Sequence, residues 1–267
     1  MSVFSIQILD ADGNVKSFDE AEGFASLVFT EEYEPGDRIV VTASDEKCFA
    51  WLQLDEVLGA SLVYLTGSFS YTVPFDAKKL NISPKAFTGN SHYLYVRYAM
   101  PEQIGQYRNL AVNVCDQHDA RNIYPHASAN VETRGEAVFF ACNAIDGICE
   151  NRNHGCWPYQ SWGINRQKDA ELIIDFGRQV DVDKVIVYIR ADFPHDSWWT
   201  QATLSFSDGT QIICPLKKDR FGQTIRFDTK RISWIKICDL IKADDPSPFP
   251  ALAQFEVYGA EVLEGVD

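Results

Sequence analysis

The chain of 267 residues has no apolar run long enough to span a bilayer. Its opening stretch, MSVFSIQILDADG, has no basic segment leading into an apolar run and a small-residue cleavage site. Read as written, it predicts a soluble chain in a reducing, cytoplasmic setting; an extracellular one follows only if an export signal has been removed. Basic charge is scarce as well, with 24 Lys and Arg against 38 Asp and Glu and a net charge of -14. Both halves are acidic, with 9 basic against 17 acidic residues up to position 122 and 15 against 21 after it. Such a field repels phosphate backbones and anionic lipid, which argues against nucleic acid and membrane partners and favours a neutral or cationic ligand.

Long amphipathic helical stripes are missing; only Pro101 to Gln106 and Pro246 to Leu252 have room for a turn or two. The seven cysteines are odd in number and scattered, several inside apolar runs such as QIICPL and WIKICDL, so no secreted disulfide framework is indicated. Nor is there a nucleophile elbow, a phosphate loop or a metal-protease helix, and a non-catalytic protein is expected.

What is present is a two-residue apolar period in short runs: SVFSIQIL, DRIVVTAS, CFAWLQLDE, SLVYLTG, HYLYVRYAM, ELIIDFG, DKVIVYIRA and QFEVYG. Turn chemistry separates them, with glycine in DADGN, EPGDR and FSDGT. The pattern predicts an all-β protein of two jelly-roll-like β-sandwich domains in tandem, residues 1–122 and 123–267. The polar segment Cys115 to Asn130 lacks a strand period and marks the junction.

From Ala127 onward a more specific order of signals runs through Asn143 to Gly147 (NAIDG), Leu172 to Gly177 (LIIDFG), Val182 to Asp192 (VDKVIVYIRAD), Ser207 to Gly209 (SDG) and Gln254 to Gly259 (QFEVYG). This half resembles the discoidin, or coagulation-factor type C, fold, including the galactose-binding-like modules of carbohydrate-binding module family 32. The N-terminal half carries no such resemblance.

The resemblance implies a sugar site on loops at one end of the second sandwich. A pyranose has a weakly apolar face and a ring of hydroxyls, so a binder needs an aromatic plate beside polar side chains. The stretch ADFPHDSWW, Ala191 to Trp199, follows the VIVYIR strand and has both. In this reading Arg190 donates a pair of hydrogen bonds, Asp192 or Asp196 accepts from hydroxyls, and His195 does either. Trp198 or Trp199 stacks, and alternation along an extended segment lets only one of the two face the ligand. A second loop, NRNHGCWPYQSWGINR, offers His154, Trp157, Asn165 and Arg166, with Trp162 assigned to the core.

The resemblance also implies a structural calcium, held by Asp146 and by carbonyls of Ala144 and Ala253, with the last-strand acidic position occupied here by Gln254. Three alternatives stay open: a protein partner gripped by the same aromatics, a glycosidase using Asp192 and Asp196, and a zinc site or disulfide at Cys149, His154 and Cys156. The leading expectation is binding of a neutral glycan or polysaccharide with no required cofactor.

Overall fold

A computed structural model describes residues 2–150, 154–191 and 197–262. The first half forms β1 (Val3–Leu9), β2 (Val15–Glu22), β3 (Phe24–Phe29), β4 (Arg38–Ala43), β5 (Cys48–Gln53), β6 (Ser61–Leu65), β7 (Phe69–Thr72) and β8 (His92–Tyr98), then a single turn, α1 (Pro101–Ile104). There follow β9 (Arg108–Asn109), β10 (Ile123–Tyr124), β11 (His126–Ala129), β12 (Trp162–Gly163), β13 (Leu172–Ile189), β14 (Trp199–Phe206), β15 (Gln211–Pro215), β16 (Gln223–Lys242) and β17 (Ala251–Glu261). The all-β expectation holds, and every strand pairing described is antiparallel.

Two sheets enclose the first core, one ordered β2-β1-β4-β7 and the other β10-β6-β5-β8-β3. Alternation decides which side chains meet: Phe4, Ile6 and Ile8 of β1 are fully buried, as are Ala50 and Leu52 of β5 and Leu94 and Val96 of β8. The β1–β2 reversal is set by Asp10, whose carboxylate accepts the N–H groups of Asp12 at 2.9 Å and Asn14 at 2.8 Å. β2 is polar and half exposed, as suits an edge strand.

The second core is wrapped by one sheet ordered β12-β17-β13-β16-β14-β15, with β11 added on β13 and β9 on β17. β13 and β16 are 18 and 20 residues long, and the ladder of β13 is interrupted between Asp175 and Val180 and again between Val182 and Lys184. Such irregularities bend a strand, and residues on both sides of them, Leu172 to Phe176 and Val180 to Val187, enter the same core. Gly177 sits inside the first interruption at φ +66°, and a Cβ there would lie 2.4 Å from the Tyr124 ring. Only glycine satisfies both the backbone and the close approach.

The polar junction contains two short strands that sequence periodicity did not show, because Pro125 separates them and each is too brief to display a period. The chain threads between the cores there. Leu110 and Ala111 belong to the second core, Cys115 and Ile123 to the first, and Ala127 to the second again. Asp116 fastens this crossing by accepting from His126 Nδ1 at 2.7 Å and from the Ala127 N–H at 2.9 Å.

The sandwiches are clasped by Glu261 at the end of β17. Its carboxylate accepts from Arg108 Nη2 at 2.7 Å and from Arg178 Nε at 2.8 Å, and its side chain is 3% exposed. Arg178, on β13, also lies over two rings of the first sandwich, Phe49 at 4.9 Å and Tyr64 at 5.1 Å. Replacing Glu261 leaves two largely buried guanidinium groups without their anion, a loss of about 3 kcal/mol or more. Glu261→Gln is therefore expected to lower the urea midpoint markedly, and an unchanged midpoint would show that the clasp contributes nothing.

Candidate functional site

Three segments converge at one end of the second sandwich because β17 begins between them. Ala251 pairs with Gly163, and its carbonyl accepts the Arg190 N–H at 3.0 Å. The segment after β12, the end of β13 and the segment before β17 are thus neighbours by strand register, and the segment before β12 reaches the same end through its Tyr159 carbonyl, which accepts from the Arg190 guanidinium. A fourth joins through β16 and β14, where the Ala243 N–H donates to the Trp198 carbonyl at 2.9 Å.

Among the described residues, this end exposes the aromatic rings of Trp157, 37% exposed, and Phe249, 44% exposed. Arg166 places its guanidinium 4.4 Å from the centre of the Phe249 ring, which holds a planar set of N–H donors beside an apolar surface. Asn165 and Arg166 are both exposed and both have positive φ, 48° and 62°. Two consecutive non-glycine residues in that region are unusual, and the turn is held by the Gln167 N–H on the Ile164 carbonyl at 2.8 Å and the Asn165 N–H on Thr133 Oγ1 at 3.0 Å. The loop before β17 is pinned by Lys242, whose Nζ donates to the Ala243 and Asp245 carbonyls, each at 2.8 Å. His154 is exposed in the same loop as Trp157.

Two residues expected at the ligand are placed elsewhere. Trp199 is 1% exposed and packs in the second core as the first residue of β14, so it is a core side chain. Arg190 is 2% exposed, and its guanidinium donates to the Tyr159 carbonyl. It braces the Trp157 loop against the end of β13. Trp198 is partly buried against the same core. Asp192, His195 and Asp196 lie outside the described residues. Trp162 is fully buried and donates Nε1–H to the Val131 carbonyl at 2.9 Å. All seven cysteines are free thiols.

The residues assigned to calcium do not fit a hard cation, which takes six to eight oxygens. Asp146 accepts the Ile148 N–H at 2.8 Å on one oxygen and Gln160 Nε2 at 2.8 Å on the other. The Gln254 amide satisfies both its neighbours in one orientation, its nitrogen 3.2 Å from Asp146 Oδ1 and its oxygen 3.3 Å from the Gly147 nitrogen. The assigned residues offer a single carboxylate, since Gln254 brings no second charge. Burial pushes the Asp146 carboxyl up to about 7 despite the Gln160 and Ile148 hydrogen bonds.

Sequence reasoning passed over Phe249, although its setting, SPFP, had the look of a rigid turn that fixes an aromatic. It also passed over a cleft of about 730 Å³ lined by residues of both sandwiches. There His118 Nδ1 lies 2.8 Å from Glu132 Oε2 and its ring stacks on Phe140 at 4.7 Å. Asn81 donates across the cleft to Asn143 Oδ1 at 3.0 Å. Burial raises Glu132 and Asp116, while Asp116 holds His126 up against the opposing effect of its own burial. These groups come from both halves of the chain, and no local motif announces them.

The chain matches no protein-family model and no curated protein. Solved structures similar to it include chitosan-binding module 1 from a chitosanase/glucanase of Paenibacillus sp. IK-5, at 19% identity over 57% of this chain and 99% of that one, TM-score 0.40. The lectin domain of lectinolysin, complexed with Lewis B antigen, is 18% identical over 57% and 97%, TM-score 0.43. The family 32 carbohydrate-binding module of C. perfringens NanJ, in complex with galactose, is 20% identical over 49% and 91%, TM-score 0.38.

Two outcomes follow from the Asp146 cluster. Millimolar calcium, or its chelation, is expected to leave the melting temperature unchanged, and a clear rise with calcium would restore the cation assignment. The folded carboxyl keeps its proton to about pH 7 while the unfolded chain releases it near 3.8. This group therefore favours the folded state most below the lower value, and that advantage is lost as pH rises toward 7. Asp146→Asn should accordingly gain on the wild type as pH rises between those limits; parallel stability curves would contradict the assignment.

Proposed function

We propose that the chain is a non-catalytic binder of neutral glycans and that residues 123–267 carry the site, at the loop end that presents Trp157, Arg166 and Phe249. The observation that carries this reading is the pairing of exposed aromatic surface with exposed donors and acceptors on loops fixed by strand register. Trp157 and Phe249 are the plates, Arg166 and Asn165 supply hydrogen bonds to hydroxyls, and His154 adds a donor or acceptor from the Trp157 loop. The net charge of -14 is unsuited to a polyanionic ligand and indifferent to a neutral one.

The mechanism is stacking and hydrogen bonding on a preformed surface. A single sugar leaves much of itself in water on such an open rim, so its dissociation constant is of order micromolar to millimolar. Arg190 and Trp199 act behind the surface, the first by holding the Tyr159 carbonyl and the second by filling the core.

The test is tryptophan fluorescence of the whole chain titrated with a panel of neutral mono- and oligosaccharides. Trp157→Ala and Phe249→Ala are expected to weaken the response by roughly tenfold or more, about 1.4 kcal/mol, without moving the melting temperature. Trp199→Ala should instead destabilise the fold by about 3–5 kcal/mol. A silent panel, or affinities unchanged in both surface variants, removes the proposal. Self-association lost in the same variants would then point to a protein partner.

A further inference from the structure

Among the described residues, one group of three side chains brings nitrogen and oxygen donors together in the geometry of a metal site, and it lies in the first sandwich. Asp55 and Glu56 follow β5, and His92 opens β8. Their ligand atoms all fall within 4.8 Å of one another. His92 Nδ1 is 3.4 Å from Asp55 Oδ2, and two ligands bound at about 2.0–2.2 Å on a tetrahedral ion stand about 3.3–3.6 Å apart.

Each of the three is fixed from behind. His92 Nε2 is 2.8 Å from the Gly89 carbonyl, so that nitrogen carries a hydrogen and Nδ1 is the ring atom that faces Asp55. Asp55 accepts the Val57 N–H at 2.9 Å on one oxygen and the Phe87 N–H at 2.8 Å on the other. Glu56 accepts the Tyr93 N–H at 3.0 Å, which holds an otherwise exposed carboxylate beside the buried pair. Outer hydrogen bonds of this kind, above all an imidazole giving its second N–H to a carbonyl, orient metal ligands.

A second observation concerns Tyr33. Its ring packs on the His92 imidazole at 4.6 Å, the residue is 6% exposed, and its hydroxyl has no hydrogen-bond partner among the described residues. A buried hydroxyl left unbonded is destabilising, and a water held on a bound metal would give it a partner. A plain ion pair between Asp55 and a protonated His92 would account for those two residues, but for neither the tethered Glu56 nor the orphaned phenol.

We propose that His92, Asp55 and Glu56 bind a divalent first-row transition cation, with zinc the ion whose four-coordinate spacing they match and water filling the fourth position. The site ties the chain after β5 to the start of β8. It is independent of the glycan reading, since it shares no residue or loop with the Trp157 end.

The experiment uses the full chain, stripped with a chelator and titrated with zinc by calorimetry. One equivalent is expected to bind and to raise the melting temperature. Glu56→Gln alters a surface carboxylate and should fold normally while binding zinc roughly tenfold or more weakly; Tyr33→Phe should weaken it by about tenfold through the lost outer contact. His92→Gln, if folded, should abolish uptake. Stripped wild-type chain that takes up no zinc, or Glu56→Gln that binds it as tightly as the wild type, overturns the proposal. The sugar titration of the Trp157 end is expected to be the same with and without zinc.

Discussion

The buried carboxylate of Glu261, gripped by Arg108 and Arg178, is the constraint on which the arrangement of the two sandwiches depends. Each sandwich closes around its own apolar core, and nothing in hydrophobic burial alone dictates how one should sit on the other. Direction has to come from oriented contacts. Two arginines converging on one carboxylate supply it, since hydrogen bonds between charged groups away from water are both strong and geometrically demanding. Arg178 extends the same contact by lying across Phe49 and Tyr64 of the other sandwich. The Asn81–Asn143 hydrogen bond then spans the cleft between the two bodies.

Within the second sandwich, amide hydrogen bonds serve where an ion was anticipated. Asp146 draws together the turn that follows it, Gln160 of the Trp157 loop and Gln254 of β17. This ties the aromatic loop to the last strand from beneath, while Arg190 ties it to β13 through Tyr159. Two buried polar struts thus hold the segment that follows Trp157, and an exposed plate on a fixed base gives up little conformational freedom when a ligand settles on it.

The strands and the closing of each core were legible because two-residue alternation is a local signal. It separates Phe4, Ile6 and Ile8 from their neighbours, and it allowed only one of Trp198 and Trp199 to face outward. Other features were illegible for physical reasons. β2 is an edge strand whose polar residues leave no period. Phe249 and Arg166 stand more than eighty residues apart and meet only because Ala251 pairs with Gly163. Arg190 was assigned to the ligand from the resemblance, whereas it is buried and its guanidinium donates to the Tyr159 carbonyl, a partner thirty-one residues away that no local pattern announces. His92 and Asp55 were overlooked because the strands that unite them are separated by a hairpin and a long loop.

The crossing of the chain between cores has a consequence for modularity. Leu110 and Ala111 serve the second core before Cys115 and Ile123 serve the first, and β9 and β10 are donated in opposite directions. No single cut frees one sandwich intact: severing after 122 strips a strand and two core residues from the second, and severing before 108 strips a strand and two core residues from the first. The unit that can be transplanted, duplicated or fused to another protein is consequently the whole pair, interlaced like clasped fingers rather than strung like beads.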